Sequence, residues 1–255
     1  MLAERGLVGS RTRAAESVRA GRVRIGRDGP VAVKPGQLVP ADAELLVTEP
    51  PRYASRGGTK LENALDALGV DVAGLGCLDV GASTGGFTDC LLQRGAARVI
   101  ALDVAFGQLD WNLRNDERVS VIERANARRL EPADLPFAPS LATIDVSFIS
   151  LAKVLPAAAR CVAPGGDVLG LVKPQFELGR GRVGKGGVVR SAADRREALA
   201  AAAEAAAGAG LGVAGFASSG LPGPKGNRET FIHCVAGRPG LEAGEMAAAI
   251  EAVEP

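Results

Sequence analysis

Apolar and polar positions follow two different periods along most of this chain. From Gly58 onward, short apolar runs of strand length alternate with longer segments in which apolar residues recur every three or four positions. The runs predict strands near residues 76–80, 97–103, 119–123, 141–145, 166–172, 213–218 and 229–236. The segments between them predict helices near 59–68, 86–94, 108–114, 150–161 and 192–208. Such alternation is typical of an α/β domain whose mostly parallel sheet is covered on both faces.

The first 48 residues have a different pattern, which predicts a small α+β module. Ser10 is a helix-capping residue and Gly21 a helix stop, so we expect a helix between them. Two short strands are predicted at 23–26 and 31–36, with a turn at Asp28 and Gly29. The prolines of residues 49–57 predict a linker, and residues 58–255 then form the α/β domain.

Charge is distributed unevenly, although the whole chain carries a formal net charge of only +1. Residues 1–60 contain 11 Lys/Arg and 6 Asp/Glu, a net charge of +5, which leaves 19 and 23 in the remainder, a net charge of −4. Arginines cluster on and beside the predicted first helix. A basic front segment indicates a polyanionic partner such as nucleic acid, whereas a solvated charged face is the alternative.

Cysteine, histidine and apolar content exclude several classes of protein. The four cysteines form no C-x-x-C pair, and His233 is the single histidine, so no zinc or other histidine-rich metal site is expected. There is no apolar run long enough to span a membrane, and the first residues do not resemble a secretory signal. We therefore expect a cytoplasmic protein with no membrane partner.

A glycine-rich turn follows the first strand of the α/β domain. Residues 79–86 read D-V-G-A-S-T-G-G and lead directly into a predicted helix. Glycines let a backbone turn sharply and approach a ligand closely, and the helix supplies free N–H groups. The next strand ends at Asp103, where a carboxylate can accept hydrogen bonds from ribose hydroxyls. The arrangement predicts a nucleotide-type cofactor.

Three interpretations of this turn remain open. The spacing G-x-x-x-G-G after an acid favours S-adenosylmethionine, whereas a dinucleotide site would have G-x-G-x-x-G. Residues 81–85 also match the G-x-S-x-G of hydrolases, with an aspartate and His233 following in the appropriate order. A hydrolase turn of that kind usually comes after several strands, whereas this one closes the first.

Four polar residues lie at the ends of predicted strands and helices, namely Lys60, Asp145, Lys173 and Glu229. Asp145 and Lys173 end strands, and ligands of open α/β sheets bind at the carboxyl ends of strands. The alternative to a ligand site is that these four residues form ordinary surface ion pairs. A ribose hydroxyl is a poor nucleophile, so its attack on a methyl sulfonium needs a base or an oriented lone pair. Lys173 is the candidate base, with Lys60 as a nearby like charge and the two carboxylates holding the geometry.

The front module resembles the S-four-type RNA-binding domain. The resemblance covers residues 5–48 and depends on S-R-T-R-A from residue 10 and on V-K-P-G-Q-L-V from residue 33. The R-L-D-x-x-L opening of that family is absent, so the first helix is expected to be incomplete.

The remainder resembles the FtsJ-type methyltransferases, and the chain as a whole resembles the TlyA family. The matching motifs are S-R-G-G-T-K-L at 55–61, D-V-G-A-S-T-G-G-F-T-D at 79–89, I-D-V-S-F-I-S at 144–150, K-P-Q-F-E at 173–177, and R-V-G-K-G-G-V-V-R at 182–190, where Arg182 replaces the usual glycine. The resemblance implies a Rossmann-like S-adenosylmethionine-dependent domain with a Lys-Asp-Lys-Glu tetrad. It also implies 2′-O-methylation of cytidine in the RNA of the large ribosomal subunit, and possible action on the small one.

The motifs assign residues to two further groups. Cofactor contacts are expected from Asp79, Gly81, Ser83, Gly85, Gly86, Phe87, Asp103 and Asn126. Contacts with ribosomal RNA or ribosomal subunits are expected from Arg11, Arg13, Arg19, Arg22, Arg24, Arg180, Arg182 and Lys185. For Asn126, capping of the next turn is the alternative to a contact with adenine.

Two other functions are compatible with the same motifs. One is a non-catalytic RNA-binding or ribosome-assembly factor that retains the fold, which would bind RNA without methyl transfer. The other is a membrane-active protein, because the family also carries the name haemolysin, although no amphipathic pore-forming stretch is present.

Overall fold

The computed structural model describes residues 1–19, 21–48, 52–184, 186–223 and 225–254. The chain divides into two compact units, Met1–Arg52 and Tyr53–Pro255. Each unit has its own apolar core.

The described residues of the first unit form one helix and a two-stranded antiparallel sheet. Helix α1 (Arg11–Arg19) is followed by strands β1 (Val23–Ile25) and β2 (Leu45–Val47). The helix stops where predicted, because Gly21 adopts a φ of 67° that only glycine reaches without strain. A small cluster of buried side chains holds the unit together: Leu2, Val18, Val23, Ala32 and Leu45.

The predicted turn at Asp28 and Gly29 is confirmed, because Ala32 N–H donates to the Val23 carbonyl at 2.8 Å and Ile25 N–H to the Pro30 carbonyl at 3.0 Å, but the predicted strand at 31–36 is wrong. Strand β1 pairs with β2, and Val31 forms only an isolated bridge with Arg24. The backbone N–H of Val33 donates to the side chain of Gln37 at 2.8 Å instead of to a neighbouring strand. Because that donor is used locally, the pairing stops after residue 32, residues 33–36 fold as a loop, and the strand partner of β1 comes from further along the chain.

The second unit is built on a seven-stranded sheet with helices on both faces, which confirms the α/β prediction. Its strands are β3 (Gly76–Val80), β4 (Arg98–Leu102), β5 (Val119–Ile122), β6 (Leu141–Ile144), β7 (Asp167–Val172), β8 (Leu211–Ser218) and β9 (Thr230–Ala236). Its helices are α2 (Arg56–Leu68), α3 (Gly86–Gln93), α4 (Trp111–Arg114), α5 (Leu155–Cys161), α6 (Pro174–Glu177), α7 (Ala192–Gly208) and α8 (Ala243–Val253).

The strand order is β5-β4-β3-β6-β7-β9-β8, and all neighbours are parallel except β9, which is antiparallel to β7 and β8. The direction of strand addition reverses between β3 and β6, and this switch point opens a crevice at the carboxyl ends of the strands. One core lies beneath α2 and α3, where Leu61, Leu65 and Leu91 are buried. The other lies beneath α5, α7 and α8, where Leu155, Leu199 and Ile250 are buried.

Local capping moves several element boundaries from their predicted places. Helix α2 begins at Arg56, earlier than predicted, because the Ser55 hydroxyl accepts from the N–H of Gly57. Helix α4 begins only at Trp111, since Asp110 caps it. The predicted helix at 150–161 is divided into a 3₁₀ turn, Leu151–Lys153, and α5. Helix α8 was not predicted. Within the described ranges, no helix is both long and apolar enough to cross a membrane.

Candidate active site

A cavity of about 590 Å³ opens at the switch point of the sheet. Its wall combines the glycine turn after β3, the ends of β6 and β7, the start of α2, and the connection between β8 and β9. This volume lies in the range of small-molecule sites, which is roughly 300–1,000 Å³.

The structure brings the four predicted polar residues together on this wall. The Nζ atom of Lys60, on α2, lies 2.5 Å from Oε2 of Glu229, just before β9. The Nζ atom of Lys173, just after β7, lies 2.5 Å from Oδ1 of Asp145, just after β6. Lys60, Lys173 and Glu229 are only 7%, 8% and 2% exposed. Buried charges are stable only when paired, so these are two internal ion pairs rather than surface contacts.

A second group touches Lys173. Its Nζ donates to the hydroxyl of Ser147 at 3.0 Å, in addition to its ion pair with Asp145. Ser147 lies in the loop after β6, where Phe148 adopts a φ of 64° that is uncommon for a residue with a side chain. The lysine head group is therefore held in a fixed direction at the cavity wall.

The same loop presents an exposed aromatic ring. Phe148 is 92% exposed and packs against Phe176 of α6, with ring centroids 5.3 Å apart. The carboxylate of Glu177 anchors the loop, because it accepts from the Ser150 hydroxyl at 2.6 Å and from the Leu151 N–H at 2.9 Å. Burial raises the pKa of Glu177, and the two hydrogen bonds partly offset this rise.

The glycine turn has the conformation that its sequence predicts. Gly81 and Gly85 adopt φ values of 88° and 95°, and Ser83 a φ of 49°. A Cβ atom on Gly81 would lie 2.5 Å from the carbonyl oxygen of Asp145, so only glycine fits there. Gly81, Ser83, Gly86 and Phe87 all line the cavity.

Gly85 has a packing role instead. A Cβ atom at this position would lie 2.3 Å from Cδ1 of Leu113 and 2.8 Å from Cδ1 of Leu109, so its lack of a side chain lets α4 and the preceding loop pack on the turn. Gly85 itself is not part of the cavity wall.

The structure does not support a direct cofactor contact by Asp79. Its carboxylate is fully buried, and Oδ2 accepts from the N–H of Thr88 at 2.9 Å and from the Thr88 hydroxyl at 2.7 Å. Oδ1 lies 3.4 Å from the hydroxyl of Thr143, which donates to it. Burial raises the pKa of Asp79 to about 7. Asp79 therefore fastens α3 to the sheet behind the glycine turn.

Asp103 and Asn126 also lie off the cavity wall. Asp103 accepts from the N–H of Ser83 and from the N–H of Ala105, both at 2.7 Å, and so stabilises the conformation of the glycine turn. Asn126 accepts from the N–H of Arg128 at 3.1 Å and caps a 3₁₀ turn, as the alternative interpretation expected. A contact between either residue and a cofactor stays a prediction.

The hydrolase interpretation is wrong. The Ser83 hydroxyl donates to Gln108 at 3.3 Å. His233 lies within β9, where its Nε2 is 2.7 Å from Oδ1 of Asp167 at the amino end of β7. Because the cavity is at the opposite end of β7, serine and histidine do not form a catalytic pair.

The predicted RNA contacts divide into several environments. Arg11 and Arg19 are exposed on α1, Arg24 is exposed on β1, and Arg22 is half-buried with a hydrogen bond to Ser17 at 3.4 Å. Two of these arginines are paired with carboxylates: Arg11 lies 3.3 Å from Glu4, and Asp194 and Glu197 of α7 both hold the guanidinium of Arg182. Lys185 lies outside the described residues, as do the side chains of Arg13 and Arg180.

Sequence reasoning missed several residues of the wall. Ser147, Phe148 and Phe176 lie inside the two strand-end motifs but were not assigned, although an apolar ring at the polar end of a strand was a usable signal. Lys225 and Asn227 line the cavity from the connection between β8 and β9, where the sequence has no regular pattern.

Known proteins resemble this chain closely. The sequence profile of the FtsJ-like methyltransferases matches residues 53–235. The 16S/23S rRNA (cytidine-2'-O)-methyltransferase TlyA of Mycobacterium tuberculosis is 51% identical over 233 residues, 91% of this chain and 86% of that protein. A solved structure titled "Putative hemolysin from Streptococcus thermophilus" has 40% identity and a TM-score of 0.77, and the match covers 99% of this chain and 93% of the other.

A more distant structure shares the fold alone. It is an S-adenosylmethionine-dependent methyltransferase from Mesorhizobium loti, with 14% identity and a TM-score of 0.51 over 71% of this chain and 100% of the other. The family profile covers well over half of the chain, and the relative from Mycobacterium tuberculosis matches nearly all of it. The chain therefore belongs to the FtsJ-like methyltransferase family and, within it, to the TlyA group.

Proposed function

We propose that this protein transfers the methyl group of S-adenosylmethionine to the 2′-hydroxyl of a cytidine in ribosomal RNA, an activity that would place it in the cytoplasm with the ribosome. The observation that carries the proposal is the pair of internal ion pairs, Lys60–Glu229 and Lys173–Asp145, on the wall of the cavity that the glycine turn also lines. The 51% identical relative is named for this reaction on 16S and 23S rRNA.

The cavity fits S-adenosylmethionine in size, backbone and charge. Gly81 and Gly86 bring bare backbone to its wall, and the carboxylate of Asp145 lines it as a partner for a cation. When bound, the cofactor supplies an electrophilic methyl group on a positively charged sulfur. Phe87 adds an apolar surface beside the turn.

Lys173 acts on the nucleophile. When bound, S-adenosylmethionine would supply its methyl group to the ribose 2′-oxygen, and the residues of the cavity wall would orient that oxygen and take up its proton. The hydroxyl proton would pass to the Nζ atom of Lys173 once the ammonium proton of that lysine has moved to the carboxylate of Asp145, whose Oδ1 lies 2.5 Å away. Asp145 and Ser147 fix the direction of that amine, and the Lys60–Glu229 pair completes the polar wall.

The basic front unit supplies RNA affinity. Arg11, Arg19 and Arg24 are exposed and suited to phosphate contacts, which position RNA without reading its sequence. Residues 179–190, rich in glycine and arginine, follow Lys173 and contribute Val183 and Gly187 to the cavity wall, so they are placed to contact the RNA backbone beside the reacting ribose.

The test compares Lys173→Ala with Lys153→Ala, a lysine in the exposed 3₁₀ turn after β6 that is not part of the cavity wall. Single-turnover methylation of transcribed rRNA fragments at saturating S-adenosylmethionine is measured, and the modified nucleotide is mapped. Lys173→Ala is expected to lose roughly 10²-fold or more in rate, a typical loss for a general base, with cofactor and RNA affinity retained.

Two results would oppose the proposal. Near wild-type rates in Lys173→Ala would exclude Lys173 as the base. RNA binding by the wild-type protein without methyl transfer would favour an assembly factor instead. Leakage of liposomes exposed to purified protein is the corresponding measurement for the membrane activity that the haemolysin names suggest.

A further inference from the structure

One amide side chain joins two distant segments of the cavity wall. Asn227 is only 2% exposed, and its Oδ1 accepts from the N–H of Val189 at 2.8 Å. Its Nδ2 donates to the carbonyl of Gly187, also at 2.8 Å. The two bonds therefore tie the connection between β8 and β9 to the end of residues 179–190.

Each tied segment carries part of the proposed chemistry. Residues 179–190 follow Lys173 and α6 and contain the glycine- and arginine-rich motif. On the other side, Glu229 follows Asn227 by two positions and pairs with Lys60. The carbonyl of Asn227 also accepts from Gly223 at 2.9 Å, and Gly223 packs so closely on Glu229 that a Cβ atom there would lie 2.3 Å from its Oε1.

Arg182 and the Arg190 carbonyl fasten the glycine-rich segment to α7, and the glycines between them need a further partner to hold one conformation. Gly186 and Gly187 adopt φ values of 84° and 81°, and glycine loses more conformational freedom on ordering than any other residue. Val189 is buried, but Arg182, Gly186 and Arg190 are exposed or have little apolar surface to pack. The amide of Asn227 supplies both a donor and an acceptor to this backbone, as a neighbouring strand would.

We propose that Asn227 is a positioning residue that holds the glycine- and arginine-rich segment in register with Glu229 and the rest of the tetrad. The inference rests on the proposed function. An RNA backbone bound by this segment then lies at a fixed distance from Lys173, so the reacting ribose arrives aligned with the base. Arg182 and the Arg190 carbonyl stay fastened to α7, so loss of Asn227 releases only the stretch around Gly187 from the tetrad, and the glycine turn is unchanged.

The experiment compares Asn227→Ala with Asn63→Ala. Asn63 is a matched control, because its amide also donates to a backbone carbonyl of the same connection, that of Ser219 at 3.0 Å, but it touches neither the segment nor the cavity wall. Single-turnover rates are measured against RNA concentration at saturating S-adenosylmethionine, cofactor affinity by calorimetry, and cleavage within residues 179–190 by limited trypsin digestion.

Asn227→Ala is expected to lower the maximal rate by at least about tenfold, because two hydrogen bonds to the segment are lost. It should also raise the RNA concentration needed for half-maximal rate and speed trypsin cleavage in the segment, with cofactor affinity within about twofold of wild type. Asn63→Ala should change none of these beyond about twofold. A wild-type rate and RNA dependence in Asn227→Ala, or equal effects of both variants, would overturn the proposal.

Two provisions keep the test decisive. If Asn227→Ala does not fold, Asn227→Asp takes its place under the same criteria, because it keeps the side-chain volume and the acceptor for Val189 but loses the donor to Gly187. If the wild-type protein transfers no methyl group to rRNA, the proposed function fails. The trypsin comparison still tests whether Asn227 holds the segment, and equal cleavage in wild type and Asn227→Ala would reject that role.

Discussion

Replacing Asp79 by Asn should remove a buried charge without changing the shape of the site. The Asn Oδ1 can accept both hydrogen bonds that Thr88 now donates, and its Nδ2 faces the hydroxyl of Thr143, which accepts. The variant therefore keeps the link between α3 and the sheet but no longer titrates. Any difference in pH dependence between the two proteins then reports on the Asp79 carboxyl.

The magnitude follows from the pKa of Asp79, which burial raises from 3.8 to about 7. Because the folded protein holds this proton more tightly than the unfolded chain, the group stabilises the fold below pH 3.8, and that contribution is lost as pH rises to about 7. At about 1.4 kcal/mol per pH unit, the total change is about 4 kcal/mol. About 2.5 kcal/mol of it falls between about pH 5 and about pH 8.

The assay is urea unfolding of both proteins at about pH 5 and about pH 8, followed by circular dichroism in the absence of cofactor. Asp79→Asn should gain about 2.5 kcal/mol in unfolding free energy relative to wild type between the two pH values. Other titrating groups contribute equally to both proteins and cancel. The reasoning is refuted if the difference between the proteins is the same at both pH values, because Asp79 would then be ionised throughout.

Three further perturbations test other parts of the structure. Lys60→Met should lower the unfolding free energy, measured by urea unfolding, by about 3–5 kcal/mol, because it leaves the Glu229 carboxylate buried and unpaired. Adding Glu229→Leu should restore stability, but single-turnover assays should still show no methyl transfer. Gly223→Ala should displace that carboxylate and slow methyl transfer at unchanged cofactor affinity, whereas Gly244→Ala, which has open space, should not. The double variant Arg19→Ala, Arg24→Ala should weaken rRNA binding and make the slope of log affinity against log salt concentration less steep by about 0.7–0.9 per arginine. An unchanged slope in filter-binding measurements would exclude phosphate contacts by these two residues.

The sequence predicted the helices, the strands and the residues at strand ends better than it predicted which strands and charged side chains pair. Asp145 and Lys173 could be placed at one edge of the sheet because the carboxyl ends of parallel strands meet there. Which charges pair could not be predicted, since Lys60 and Glu229 are 169 positions apart. The strand partner of β1 was missed for the same reason, because pairing depends on long-range contacts that local patterns do not contain.

Partners supplied by the fold bear on two further predictions at the site. An acid at the end of a strand predicts a ligand contact for Asp79, but the hydroxyl and N–H of Thr88 occupy it from within α3. An arginine in a glycine-rich segment predicts a phosphate contact for Arg182. Its guanidinium is exposed but paired with two carboxylates of α7, and the contact with RNA stays a prediction. Neither competitor is visible in a one-dimensional pattern, because each becomes a neighbour only after the chain folds.

The position of β9 has a consequence for the order in which the enzyme becomes competent during synthesis. β9 lies between β7 and β8, so the chain passes to the edge of the sheet and returns before Glu229 reaches Lys60. A nascent chain that ends before residue 229 can contain the glycine turn and the Lys173–Asp145 pair, but it still lacks the acidic partner of Lys60. Closing such a long loop is slow compared with forming local contacts. Incomplete chains are therefore expected to be inert, and methyl transfer should begin only after the last strand has been inserted.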